Sequence, residues 1–320
     1  MELYPGLHRI ATTFPPNNLW LYLLRGKDAV ILIDSGCNTT PDAVIYPYLA
    51  DIGVAPEAVT HLVVTHAHAD HFGGNAAVKA RTPNVKLLAH ILEQPYIENS
   101  ECLLRDWYQE QFKRKHGFGF SDEICDWMSS FIGPNVQVDM SLEGGERIAL
   151  NDELRIELVH APGHMPGHVI AWDAAYRCAI IGDALLGRGV AGMNGNIHSP
   201  PPYFEVEPYL RTIAAIEALQ PELIVSAHYP DKHGDQASAF ISESRAFVHD
   251  CSAVVLDTFT QERRPLSLRQ IIAGADMRLG PYDGPEMAWL APVNAHLLDL
   301  EARGIIQVTE AGSPRQWMIV

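Results

Sequence analysis

Four side chains able to bind a metal ion fall within six residues in Thr65-His66-Ala67-His68-Ala69-Asp70-His71. In an extended segment, residues two apart share a face, so His66 and His68 can pinch one cation. The following turn sends Asp70 and His71 toward a neighbouring position, and Gly73-Gly74 lets the chain enter a helix. A chance His-x-His-x-Asp-His in a chain of this length has a probability on the order of 10⁻³, so stray surface histidines account for it poorly. Three more groups complete the set. His164 sits in Pro162-Gly163-His164-Met165-Pro166-Gly167-His168, where the Pro/Gly frame fixes a loop. Asp183 ends an apolar strand as Gly182-Asp183, where a carboxylate is costly unless paired or on metal. His228 ends another such strand.

Short apolar runs must position these groups. Segments 7–11, 19–24 and 29–33 read as strands joined by turns, the last running into Asp34-Ser35-Gly36. Strands and helices then alternate: 63–64 leads to His66, 87–89 follows, 156–159 leads to the Pro/Gly loop, 180–181 to Asp183 and 223–225 to His228. Such α/β patterns place chemistry at the carboxyl ends of strands, so several loops are expected to converge on one site. The stretch from about 93 to 140 is polar, aromatic, mostly helical and too long for a simple connection, which makes it an inserted subdomain able to roof a cleft. Tyr209, Ile213 and Ile216 follow i, i+4, i+7 spacing and mark a covering helix after Pro200-Pro201-Pro202.

Residues 1–235 read as one domain and 236–320 as a second, smaller one. The second carries helices at 238–259 and 267–275, a Gly/Pro break at 280–285, and a helix with Val293, Leu297 and Leu300 on one face, stopped by Gly304. A hairpin of 305–308 and 316–320, joined by a Glu-Ala-Gly-Ser-Pro turn at 310–314, completes a winged-helix-like α+β order.

Composition narrows the partners. Among 320 residues, 23 basic and 39 acidic side chains give a net charge of −16, a field that repels phosphate backbones and anionic lipid. The tail from Gln236 has seven Arg, no Lys and ten acidic residues. Its would-be reading helix lacks the basic stripe of a nucleic-acid reader, so the tail reads as a packing element or the contact of a homodimer. With 47% hydrophobic and 19% charged residues, disorder is excluded. No basic leader precedes an apolar stretch, and no run nears the ~18 apolar residues of a membrane span. The five cysteines are odd in number, scattered and without C-x-x-C, as in a reduced, cytoplasmic protein with no membrane partner.

Together the motifs resemble the metallo-β-lactamase superfamily across roughly residues 7–235. Asp34 in Ile-Asp-Ser-Gly is similar to its first motif, His66 to His71 to its second, His164 to its third, Asp183 to its fourth and His228 to its fifth, in the same order. The resemblance implies a four-layer αββα sandwich with a dinuclear site, usually zinc, between two sheets; iron or manganese are the other metals it admits. It implies that His66, His68 and His164 hold one metal and Asp70, His71 and His228 the other, with Asp183 bridging. Asp34 then orients a ligand histidine rather than binding metal itself. An aspartate at 183 departs from the lactamases proper, where a cysteine is common. The Thr65–His71 run, the Pro-Gly-His-x-Pro-Gly-His loop and Gly-Asp-Ala-Leu-Leu look most like the glyoxalase II-like branch of thioester and acyl hydrolases. The tail is similar to a branch that pairs this core with a winged helix and includes a single-strand endoribonuclease.

The expected chemistry is hydrolysis by a metal-bridged hydroxide attacking the carbonyl of a thioester, lactone or small ester. Asp70 is the expected catalytic residue, orienting that hydroxide or relaying its proton. Tyr229, after a ligand, and His168 are the candidate substrate contacts. Two other readings remain open: a phosphodiesterase acting on RNA, and a mononuclear iron enzyme like the persulfide dioxygenases. Lys113-Arg114-Lys115-His116 is the one dense basic run, and Trp107, Tyr108 and Trp127 are candidates to line the cleft or to form the core of the insertion. Cys37 and Cys178 read as core residues.

Overall fold

In the computed structural model, which describes residues 1–310 and 314–320, two sheets face each other. The first holds seven strands in chain order: Glu2–Tyr4, Leu7–Phe14, Asn17–Arg25, Val30–Ile33, His61–Val63, Lys86–His90 and Met140–Leu142. It opens as an antiparallel meander, and its last four strands run parallel, with Ile31 beside His61 and Leu62 beside Leu87. The second sheet runs Lys232–His233, Leu223–Val225, Cys178–Ile180, Val169–Asp173, Arg155–His160, Glu146–Ala149. Leu223–Val225 lies parallel to Cys178–Ile180, and the other pairings are antiparallel.

Both faces of these strands are apolar, so each sheet needs cover on both sides. Ile31, Ile33 and Val63 of the first sheet are buried against Ile156, Leu158, Val169, Ile180 and Val225 of the second, making one core between the sheets. The outer face of the first, through Leu21, Leu32, Leu62 and Leu87, packs on helices carrying Tyr46, Leu49 and Val78. The outer face of the second, through Ile170, Ala179 and Ile224, is covered by Val206–Ala218 and Asp235–Glu262. The architecture is therefore a four-layer αββα sandwich.

Two additions bear on the site. Parallel neighbours need a crossover, and between Lys86–His90 and Met140–Leu142 it consists of helices Gln94–Glu98, Cys102–Glu110 continuing into Gln111–His116, and Asp122–Ser129. Ser121 caps the last by accepting the Ile124 N–H. At the C-terminal end, Asp235–Glu262 is one helix of 28 residues, longer than the expected 238–259. Helices Leu268–Leu279, Pro285–Ala288 and Leu290–Ala302 follow, with a small sheet in which Gln316–Ile319 lies between Leu266–Ser267 and Ile306–Glu310. Of the expected turn at 310–314, residues 311–313 lie outside the described residues. Tyr209, Phe247, Ile271, Trp289 and Trp317 belong to one buried cluster, so the tail extends the outer helical layer.

Candidate metal centre

The loops after His61–Val63, Arg155–His160, Cys178–Ile180 and Leu223–Val225 meet at one end of the sandwich, at the carboxyl ends of these strands. They bring His66, His68, His164 and Asp183 into one group and Asp70, His71 and His228 into another, with ligand atoms in each group within 4.8 Å of one another. All seven side chains are buried except that of His68, which is partly exposed. The first group is tight: His66 Nε2 lies 2.9 Å from His68 Nδ1 and 3.1 Å from His164 Nε2, and the last two are 3.1 Å apart. Asp183 Oδ2 faces both groups, 3.7 Å from His164 Nε2, 3.6 Å from His71 Nε2 and 3.4 Å from His228 Nε2.

Groups behind the rings set which nitrogen looks inward. Pro202 O accepts from His164 Nδ1 at 2.6 Å, Asn18 O from His228 Nδ1 at 2.8 Å, and Asp34 Oδ2 from His71 Nδ1 at 2.8 Å. Each acceptor holds a proton on Nδ1, so Nε2 is the nitrogen that faces the cluster. Asp34 does this from a left-handed backbone (φ 62°) while also accepting the Thr65 N–H at 2.7 Å and the Thr65 hydroxyl at 2.9 Å. Gly182 precedes Asp183 at φ 49°, where a Cβ would come within 3.1 Å of His168 Nε2 and Thr65 Oγ1, so glycine is required for the turn.

The donor set fits divalent cations. His71 Nε2 and Asp183 Oδ1 are buried without a hydrogen-bond partner, and unpaired buried polar atoms are costly unless something satisfies them. Burial, then His164, lowers the His68 imidazole to about 3. Burial also depresses His228, but Asp183 and Asp70 outweigh it and raise that ring to about 10. His71 behaves likewise, its burial overcome by Asp70, Asp34 and Asp183. Burial would raise Asp183, yet His228 and His71 hold it well below the usual carboxylate range. Inward Nε2 atoms of His71 and His228 that hold protons against ionised carboxylates are positions where cations replace protons.

Two candidate substrate contacts lie elsewhere than expected. Tyr229 turns its hydroxyl away from the ligands, donating to Leu186 O at 3.2 Å and to Gly189 O, while its ring packs on Phe240. Those two carbonyls hold the hydroxyl in the Leu186–Gly189 loop, so the residue next to the His228 ligand serves that loop rather than the centre. His168 is fully buried, stacked behind His66 with ring centroids 4.8 Å apart, and its Nε2 accepts the Asp183 N–H at 3.2 Å. It supports the ligands from behind rather than facing substrate.

Lys113 pairs with Glu110 on an exposed face, whereas Lys115 and His116 line a separate cavity of about 440 Å³ with Trp107. Tyr108 and Trp127 instead line a cavity of about 210 Å³ that His68 and Asp70 also border. Cys37 and Cys178 are buried in the core.

Glu93 was not among the expected residues. Fully buried, it accepts the Ala67 N–H at 2.9 Å and the Gly167 N–H at 2.7 Å, tying the His66–His68 loop to the His164 loop. A lone acid after the mostly apolar segment Leu87-Leu88-Ala89-His90-Ile91-Leu92 was the available signal.

A two-sheet sandwich with clustered histidines and aspartates at its strand ends defines a metal-site protein of the αββα class. The chain belongs to the metallo-beta-lactamase superfamily, whose family model matches residues 15–228. It is 23% identical over 239 residues to the probable metallo-hydrolase YqjP of Bacillus subtilis (strain 168), covering 69% of this chain and 70% of that protein. An N-acyl homoserine lactonase of Bacillus cereus is 24% identical over 186 residues, 50% of this chain and 61% of its own length. The crystal structure of a metallo-beta-lactamase family protein from Thermus thermophilus superposes with a TM-score of 0.75 at 20% identity. That match covers 99% of this chain and 100% of the other, so the shared fold includes the C-terminal helices.

Proposed function

We propose that the protein is a dinuclear metal-dependent hydrolase of carbonyl compounds, with a thioester, lactone or small ester as substrate. The observation that carries this reading is the position of Asp183 Oδ2 between two ligand groups, which provides for two cations where a mononuclear enzyme needs one group. His66, His68 and His164 would hold one ion, and Asp70, His71 and His228 the other, with Asp183 shared. Zinc suits the imidazole and carboxylate donors best. Bound there, the pair supplies an activated water at neutral pH and polarises the carbonyl oxygen.

The chain's own residues do the rest. Asp34, Pro202 O and Asn18 O lock the ligand tautomers, and Glu93 fixes the spacing of two ligand loops. Asp70 Oδ2, 3.4 Å from His228 Nε2 and 3.6 Å from His71 Nε2, is placed to hold or pass a proton at that oxygen. The likeness to an N-acyl homoserine lactonase supports a carbonyl substrate, and the His-x-His-x-Asp-His and Pro-Gly-His motifs support the glyoxalase II-like branch. The order of helices and hairpin after Asp235 supports a winged-helix-like tail. Five free cysteines are in keeping with a reducing, cytoplasmic setting. Among the described residues, no helix is long and apolar enough to cross a membrane.

Elemental analysis of the purified protein, followed by a panel of acyl thioesters, lactones, phosphodiesters and β-lactams, tests the proposal. Two metal equivalents with turnover of carbonyl substrates are expected. One iron per chain, or cleavage of phosphodiesters alone, would overturn it.

A further inference from the structure

The cavity beside the metal centre has a chemical character of its own. His68 and Asp70 are among the residues that line it, so whatever occupies it lies against members of both ligand groups. Phe14, Pro202 and Phe204 of the sandwich supply part of its walls, and two added segments supply the rest. Leu103, Leu104, Tyr108 and Phe120 belong to the inserted segment, and Met287 and Ala291 to the C-terminal helices. The inserted wall is firm: Leu103 and Leu104 are buried, and Tyr108 stacks on Phe120 with ring centroids 4.8 Å apart and planes 11° from parallel. Among the described residues, no lysine or arginine lines the space, and Asp70 is its acidic residue.

We infer that this cavity receives the acyl group of the substrate and that it selects an uncharged, apolar acyl group of about six carbons. The inference rests on the hydrolase reading above, because that reading puts the substrate carbonyl between the ligand groups that border the cavity. Its size follows from volume: a cavity of about 150 Å³ takes a benzene ring, so about 210 Å³ takes a phenyl ring or a six-carbon chain. Its polarity follows from the walls. A carboxylate at the far end of the acyl group would be desolvated with no cation to pair with, and Asp70 would repel it. An alkyl chain there gains the transfer of each methylene from water to Leu, Phe and Met side chains. The inserted helices and the C-terminal helices thereby act as specificity-determining elements on a shared hydrolytic core.

The test uses the zinc-loaded full chain and N-acetylcysteamine thioesters with acetyl, butyryl, hexanoyl, decanoyl and adipoyl groups. From acetyl to hexanoyl, kcat/KM is expected to rise about fourfold per methylene, and then to level off or fall at decanoyl. Adipoyl, with its terminal carboxylate, should fall far below hexanoyl. Ala291→Phe fills the space and should lower the hexanoyl-to-acetyl ratio, while Met287→Ala enlarges it and should shift the optimum to longer chains. The second variant removes rather than adds bulk, so the pair does not depend on one mutant folding. A ratio near one across the series, or preference for adipoyl, overturns the assignment while leaving the hydrolase reading intact. If no thioester, ester or lactone turns over, the hydrolase reading fails, and calorimetry of acetohydroxamate against hexanohydroxamate on the zinc-loaded protein still decides the cavity. Tighter binding of the longer chain, lost in Ala291→Phe, supports the acyl site, and equal binding of the two refutes it.

Discussion

Replacing Asp34 by Asn isolates the role of one carboxylate behind the metal centre. Asn tolerates the left-handed backbone that Asp34 adopts, so the turn at φ 62° should survive and the effect should be electrostatic. Asp34 Oδ2 accepts from both His71 Nδ1 and the Thr65 hydroxyl, and Oδ1 accepts from the Thr65 N–H. An amide has one acceptor oxygen, so either orientation sets an NH₂ against a donor. The least costly repair removes the proton from His71 Nδ1, so the neutral ring keeps its proton on Nε2, the atom that faces Asp70 and Asp183 at 3.6 Å, and must change tautomer before that atom can bind a cation. A lost hydrogen bond to a charged group costs about 1.5–3 kcal/mol, and partners behind metal ligands are worth about 10–100-fold in affinity. The expected outcome is therefore zinc binding to the Asp70/His71/His228 group weakened about 10–100-fold, with the His66/His68/His164 group much less affected. Titration against a chromophoric chelator should show two tight equivalents in the wild type and one tight plus one weak in the variant. Two equivalents of unchanged affinity would refute the argument that Asp34 sets the His71 tautomer.

Three further outcomes follow from the same geometry. Asp183→Asn weakens the oxygen that faces both groups, and kcat/KM should fall by at least about a hundredfold, the upper figure for losing a mere supporting partner; retained turnover at two metals per chain would count against a shared ligand. Chelator treatment should lower the melting temperature by several degrees, because zinc at about a thousandfold above its Kd adds about 4 kcal/mol to the folded state. Differential scanning calorimetry reads this, and an unshifted melt would show that the loops bind no ion. Glu93 gives a pH signature in the chelated protein. Burial raises its carboxyl from 4.5 to about 7, so between those values the folded chain keeps a proton that the unfolded chain has released, and stability falls as pH rises. The loss is about 3 kcal/mol across that window and is absent in Glu93→Gln. Urea unfolding of both proteins at about pH 5 and about pH 8, either side of most of that window, should show the wild type losing more than the variant, and parallel losses would exclude the effect.

The sequence exposed the ligand groups because each hangs on a local pattern: an apolar run sets a strand, and the residues just past its end are delivered to the sheet edge. His66, His164, Asp183 and His228 could be named without knowing the strand order that unites them. What local pattern does not carry is direction. His164 and His168 share one loop, yet His164 turns Nε2 inward while His168 lies behind His66 and accepts the Asp183 N–H. Tyr229 follows a ligand, yet its hydroxyl serves the loop at Leu186 and Gly189. The long helix Asp235–Glu262 starts three residues before the expected span, where Ala237 is buried, and runs three exposed residues past it until Arg263 turns left-handed. Glu93 shows the limit most plainly. A glutamate after an apolar run is ordinary as sequence, and it matters because residues 67 and 167, a hundred positions apart, both turn an N–H toward it. The chemistry of such a site is thus written in strand-end residues, while its precision depends on partners that no spacing reveals. Those partners lie behind the ligands, where a change should alter metal affinity, whereas Leu103, Met287 and Ala291 line the neighbouring cavity, where a change should alter the proposed acyl preference and leave metal binding intact.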